Sequence, residues 1–493
     1  MSDLHSAPPA ATGLDATPLL KSERTWRGGT LLSSSTSTAV ATWCFVVGGT
    51  VAYYLDLISG ALAMMAGILI GIGAILVSIV PVATKYGVDS ALSSKAFMGS
   101  RGWYFSVILM FLTLAGWNTV LVVILGRAVA QILVTAGLVA EGSRGTVEVV
   151  AMLASLVVVW GVIRGGANAL ATSAKWIALG VLALSVMVLA LLIHNVGVEG
   201  LLAAEPQAPF ESQLANVTIS MEAFIATAIA WWPYVGGMVR LVPSARTALW
   251  PSIFGLAVPL AGVAVIGLCA GLVIPESGGD PTTFLADVGG LFFGIVSLVF
   301  ITLANIGSTM VGTFAAAVGV RQIPAVSRRV SWSTACALSL VPTAILAAFF
   351  ADAFLANLQL FLAGCALFLA PYCGMQAVDF FFLRRQRLDV RALYTDGKDN
   401  PYRFWLGVNP AAIVGLVAGI SVFLLLLNPV TYETKAFFAY TTASVPSMVA
   451  AGGAYWLCAL VVRRRGRGGY DYTSPESAAV GAVPAPRNRG QRR

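Results

Sequence analysis

About twelve apolar stretches, each near the ~20 residues a helix needs to cross a bilayer, constrain this chain more than any other feature. They fall at about 32–57, 61–83, 103–136, 147–163, 173–193, 217–239, 248–274, 288–320, 331–351, 355–382, 408–428 and 438–462. Of the 493 residues, 58% are hydrophobic and 11% charged, against about a quarter charged in a soluble domain. No run of short alternating strands suggests an outer-membrane barrel. The chain therefore reads as an all-α polytopic membrane protein. The expected organisation is a disordered cytoplasmic tail over 1–30, a transmembrane domain over 31–462 and a basic cytoplasmic tail over 463–493. The start lacks the basic-then-apolar order of a cleaved signal peptide.

Charge fixes the expected orientation. With the N-terminus inside, the inner connections collect Lys21, Arg24 and Arg27, then Lys85, Lys95 and Arg101, then Arg164 and Lys175, then Arg240 and Arg246. Arg321, Arg328 and Arg329 follow, then the cluster from Arg384 to Arg403 and the arginines after 462. Only Arg144 and Lys435 fall outside, among acids such as Glu199, Glu205, Glu211, Glu276, Asp280 and Asp287. This asymmetry predicts both termini in the cytoplasm and a cell-membrane location. It also accounts for the net charge of +8 without nucleic acid. The run "RRRGRGG" from Arg463 suits anionic lipid.

Two glycine pairs stand out within the spans: Gly48-Gly49 in "CFVVGGTVAYY" and Gly236-Gly237 in "WWPYVGGMV". They lie in the first and sixth spans, which cross the membrane in opposite senses. Matched interruptions in oppositely directed halves point to an inverted-repeat transporter. Pro233 removes a backbone donor, which predicts a departure from helix near 229–237. Freed backbone groups at bilayer depth must face protein or a cavity. The expectation is that both glycine pairs interrupt their helices and face one central substrate site. Close helix packing is the alternative for such glycines.

Several blocks in order resemble one family, the nucleobase–cation symporters or purine/cytosine permeases. They are "RTW" at Arg24–Trp26, "VGGTVAYYLD", "KYGVDSALSSKAFMGSRG", "AGWNTV", "WWPYVGGMVRLVP" and "PYCGMQAVDFFFLRRQRLDVRALY". The resemblance implies two inverted five-helix repeats plus two further helices. It implies a small ring-shaped substrate held between the first, third, sixth, eighth and tenth helices. Carried over by position, Trp117 matches the third-helix tryptophan that stacks on the ring, and Trp231 the sixth-helix tryptophan. Asn305 lies in the eighth-helix region that supplies an amide, with Ser308 as a neighbouring candidate. These residue types suit an uncharged heterocycle, which takes aromatic faces and an amide that both donates and accepts.

The sequence departs from the family at three places. Gly237, Met238 and Val239 stand where the sixth-helix pattern has Asp, Tyr and Thr, and Leu121 replaces an amide beyond Trp117. Leu303 and Ala304 stand where sodium-coupled relatives carry hydroxyls, in an ungapped reading that a slip of one residue would change to admit Thr302. The expected coupling ion is therefore a proton rather than sodium. Charged residues within or beside the spans, Glu222, Arg127 and Asp56, are candidates for coupling, because charge at bilayer depth is costly; structural pairing is their alternative. The reading is a symporter of cytosine, a purine or a related hydantoin or allantoin, working by alternating access. The rival on the same fold is a carrier of a vitamin or an amino acid. No HExxH, GxSxG or P-loop pattern points to an enzyme, and no cysteine spacing points to a metal. No cofactor is expected.

Overall fold

The computed structural model describes residues 18–165, 168–435, 437–464 and 470. Residues 1–17 and most of the basic tail, including 465–469 of the arginine run, lie outside the described residues. Among the described residues nine helices are long and apolar enough to cross a membrane, eleven if two bent pairs each count as one, and Pro410–Leu426 is a shorter apolar helix. In chain order these are spans 1 to 12. Spans 1 and 6 are each two helices, Gly28–Ala39 with Trp43–Tyr53 and Gln213–Ile229 with Trp232–Val239, bent by 64° and 44°. Span 2 is Leu57–Tyr86, span 3 Trp103–Thr135, span 4 Arg144–Ile163, span 5 Asn168–Ala203 and span 7 Ala245–Val273. Span 8 is Leu285–Arg321, span 9 Trp332–Phe349, span 10 Leu358–Val378 with a π-turn Asp379–Leu383, span 11 Pro410–Leu426 and span 12 Ser444–Arg464. Among the described residues there is no extended strand, only isolated bridges.

Local chemistry sets several boundaries. Asp56 accepts from the amides of Ile58 and Ser59, both at 3.0 Å, and so caps span 2. Its carboxylate satisfies amides that have no partner within the helix. Gly87 closes the same helix at φ 71°, where a side chain would strain the backbone. Buried Arg24 donates to the carbonyls of Leu19, Thr84 and Lys85. The "RTW" block thus clamps the chain entering span 1 onto the C-terminus of span 2.

The packing repeats itself. Span 2 lies on span 6 as span 7 lies on span 1, and span 3 runs along span 8. Span 4 packs on spans 3 and 8, and span 9 on spans 8 and 3. Adding five to each span of the first half gives the matching contact in the second. That is the relation two inverted five-helix repeats require. Spans 11 and 12 pack on each other, and span 12 leans on span 10.

The breaks are where two spans bend, but not at the glycine pairs. Span 1 opens between Ala39 and Trp43, with Val40 extended at φ −85°, ψ 105°. Span 6 opens at Ala230–Trp231. Pro233 sits in the first turn of the new helix, where a missing amide hydrogen costs nothing. Gly48 and Gly49 continue the helix Trp43–Gly49. A Cβ on Gly48 would meet the backbone of Ala264, and one on Gly49 the backbone of Gly278. Gly236 lies against Ser90, to whose Oγ its amide donates at 3.1 Å, while Gly237 has nothing within 4 Å of its Cβ position. Three of the four glycines therefore allow close backbone approach, and none interrupts a helix.

Candidate functional site

The two breaks face each other. Thr42, in the break of span 1, hydrogen-bonds through Oγ1 to Oδ1 of Asn305 on span 8. The next residue, Trp43, has its ring 4.4 Å from that of Trp117 on span 3 and 6.2 Å from that of Trp231 in the break of span 6. Phe361 of span 10 meets Trp117 edge-on at 5.4 Å, and Tyr234 meets Trp231 at 5.6 Å. Spans 1, 3, 6, 8 and 10 thus converge on one aromatic cluster. Its three tryptophans are each only 5% exposed.

Asn305 is fully buried, and its Nδ2 has no hydrogen-bond partner. An unpaired amide donor at bilayer depth is costly, which marks this group as one that a ligand can satisfy. Ser308 lies one turn beyond and is half-buried. Trp232, beside Trp231 in sequence, has a different role. It is fully buried and donates through Nε1 to Gln376 at 3.0 Å.

Of the sequence candidates, Trp117, Trp231 and Asn305 come together here. Trp43, Thr42, Phe361 and Tyr234 join them and were not anticipated. The available signal for the first two was the hydroxyl-rich run Ser33–Thr38 leading into Trp43, an unusual lining for a lipid-facing helix.

The charged candidates lie elsewhere, each with partners. Asp56 is the cap described above. Arg127 of span 3 pairs with Asp280 at 3.3 Å and Asp352 at 2.8 Å, tying span 3 to the connections 7–8 and 9–10. On the opposite, basic face, Asp89 bonds Gln322 at the end of span 8 and lies 3.9 Å from Arg240 at the end of span 6. The molecule is therefore bridged by charge at both ends.

Glu222 is buried in the first half of span 6. It accepts from the amides of Ala443 and Ser444 at 2.9 and 3.0 Å and from Ser444 Oγ at 2.5 Å. It is the N-terminal cap of span 12, supplied from another helix. Glu222→Ala should lower the thermal unfolding midpoint of the solubilised protein, because three donors lose their acceptor at roughly 1–3 kcal/mol per buried group. The apparent KM for substrate should not move. Altered ion dependence at unchanged stability would instead return Glu222 to a coupling role.

Leu303, one basis of the proton expectation, is 57% exposed on the outward side of span 8. Helix rotation turns it away from the cluster, whereas Ala304, the other basis of that expectation, is buried at 3% exposure, so the expectation rests on Ala304 alone. The inward face carries Asn305 and, four residues on, Thr309, whose buried Oγ1 has no partner. Groups four apart share a helix face. No cluster of three or more His, Cys, Asp or Glu side chains suits a metal among the described residues.

Comparison with known proteins bears on the family and the fold. The model of a family described as permeases for cytosine/purines, uracil, thiamine and allantoin matches residues 18–451. A purine-uracil permease NCS1 of Arabidopsis thaliana is 29% identical over 199 residues. That match spans 38% of this chain and about a third, 32%, of the relative's length. The structure of Mhp1, a nucleobase-cation-symport-1 family transporter, closed with bromovinylhydantoin bound, superposes with TM-score 0.76 at 17% identity, covering 94% of this chain and 98% of that one. Inward-facing Mhp1 superposes with TM-score 0.77 at 16% identity, covering 98% and 99%. At these identities the likeness is one of fold.

Proposed function

Since the chain belongs to the nucleobase–cation symporters, the family of permeases for cytosine/purines, uracil, thiamine and allantoin, and has their inverted-repeat fold, we propose that it imports a planar nucleobase-like heterocycle by alternating access. The observation that carries this reading is the convergence of Trp43, Trp117 and Trp231 with the unpartnered amide of Asn305. Aromatic faces hold a flat ring by stacking, each contact worth about 0.5–1.5 kcal/mol beyond area burial. The amide reads the ring's polar edge. A charged amino acid would need an opposite charge in the site, and the buried or bridging charges Asp56, Asp89, Arg127 and Glu222 are engaged elsewhere. Trp117→Ala and Asn305→Ala should each abolish concentrative uptake of the heterocycle into proteoliposomes; transport by both at wild-type affinity would sink the assignment.

Alternating access then opens one bridged end at a time. The Arg127–Asp280 pair parts on the acidic face, or the Asp89–Gln322 contact on the basic one.

The coupling ion supported by the oxygens near the break of span 1 is sodium. Thr42 Oγ1 and Asn305 Oδ1, which now bond each other, and the unpartnered Thr309 Oγ1 one turn along span 8 are hard ligands, and the extended stretch at Val40 adds carbonyls. The buried carboxylates Glu222 and Asp379 are occupied, the latter by Arg384 at 2.7 Å and Tyr455 at 2.6 Å. Proton coupling, expected from the sequence, is the second reading and rests on the burial of Glu222. Replacing sodium by choline should reduce uptake at least about tenfold, the effect of a lost interaction near 1.4 kcal/mol, and a protonophore should leave it intact. The opposite pattern selects the proton.

A further inference from the structure

A groove of about 260 Å³ lies between the ends of spans 3, 8 and 9 on the basic face, far in sequence from the aromatic cluster's breaks. Val107, Ile108, Phe111, Val320, Val326 and Leu338 line it. Its one polar lining residue, Ser339, spends its hydroxyl on the carbonyl of Ala335 at 2.8 Å. Ile108 and Leu338 are each 55% exposed. An exposed apolar surface on a membrane span faces lipid chains, so the groove opens sideways into the bilayer.

The rim has the opposite character. The short helix Pro324–Arg329, which contributes Val326 to the groove, ends in Arg328 and Arg329, both exposed. Arg321, one residue past Val320, stands over the ring of Trp332 at 5.9 Å, and its buried Nε has no hydrogen-bond partner. Among the described residues none of these three arginines pairs with a carboxylate, whereas Lys95, Arg127, Arg144, Arg240 and Arg384 all do. An apolar slot whose lining segments carry three guanidinium groups without a carboxylate partner is complementary to one kind of molecule. It needs an acyl chain joined to an anionic, multi-acceptor headgroup at the interface.

We propose that this groove is a binding site for an anionic glycerophospholipid, its chain between Phe111 and Leu338 and its phosphate at Arg321, Arg328 and Arg329. The site is separate from the heterocycle site, and the proposal stands or falls independently of what the protein transports.

The test is native mass spectrometry of the full chain, delipidated and then titrated with phosphatidylglycerol or phosphatidylcholine. Wild type should retain phosphatidylglycerol in preference to phosphatidylcholine. The double variant Arg328→Gln/Arg329→Gln should weaken that retention on the order of tenfold or more, given about fivefold per basic residue at an anionic surface. Leu338→Trp, which fills the groove but keeps the charges, should weaken it too. The control Arg391→Gln/Lys398→Gln, at exposed positions of the connection 10–11, should retain it as wild type does. If either test variant unfolds, the other decides. Equal retention of both lipids, loss in the control equal to that in the test pair, or a protein dimer that Leu338→Trp abolishes at unchanged lipid retention would each overturn the proposal. The last outcome would assign the groove to a second copy of the chain.

Discussion

Replacing Asn305 with alanine is expected to weaken substrate binding about a hundredfold while leaving folded protein in the membrane. Asn305 is fully buried, with one amide atom bonded to Thr42 and the other unpaired. A bound heterocycle supplies the missing acceptor. Without the amide, the ring's polar edge is buried unsatisfied at about 1–3 kcal/mol, and Thr42 loses its partner, which frees the break of span 1 to drift. Together these amount to roughly a hundredfold loss in affinity. Equilibrium binding of a radiolabelled heterocycle to purified protein checks this. Asn305→Asp keeps the oxygen that meets Thr42 but removes the donor, so it separates the two effects. If Asn305→Ala binds as wild type does, the amide is a helix-packing group and the site lies elsewhere.

The second large effect is expected at Gly48, and it is structural. A methyl group there would overlap the backbone of Ala264 on span 7, not the flexible end of a side chain. Main chain cannot yield without separating spans 1 and 7. Overpacking of a tight core costs typically 1–3 kcal/mol, and more where backbone must move. Gly48→Ala should therefore sharply reduce the yield of monodisperse protein. Gly237→Ala meets nothing within 4 Å and replaces a poor helix former by a good one, worth up to about 1 kcal/mol. It should express and unfold like wild type or slightly better. Normal folding of Gly48→Ala together with an inactive Gly237→Ala would restore the glycines to the site.

This contrast shows where sequence reasoning was sound and where it stopped. The twelve apolar lengths, the opposed directions of spans 1 and 6 and the separation of basic from acidic faces follow from local composition. Pro233 announced a break, and the break lies at Ala230–Trp231, within the window it predicted. The break of span 1 has no such signal. Val40, Ala41 and Thr42 are ordinary helix residues, and what accompanies their unwinding is tertiary: Thr42 reaching Asn305 and Trp43 packing on Trp117. The glycine pairs misled because glycine serves two purposes in membranes, loosening a helix and admitting a neighbour, and only the neighbour's position distinguishes them. Leu303 by itself says nothing of the ion, because linear alignment does not reveal which way a helix face turns. Glu222 has its partners 221 and 222 positions away, so its capping role was invisible along the chain.

The most direct test of the central claim is ligand-induced thermal stabilisation of the purified protein. Nucleobases, hydantoins, allantoin, B vitamins and amino acids are screened in parallel on wild type, Trp117→Ala and Asn305→Ala. A ligand at a hundred times its Kd stabilises the folded state by about 2.7 kcal/mol, a readily measured shift. The account predicts that at least one planar heterocycle raises the wild-type midpoint and that neither variant responds to it. A wild-type shift with an amino acid alone, or a heterocycle shift that persists undiminished in both variants, would contradict it.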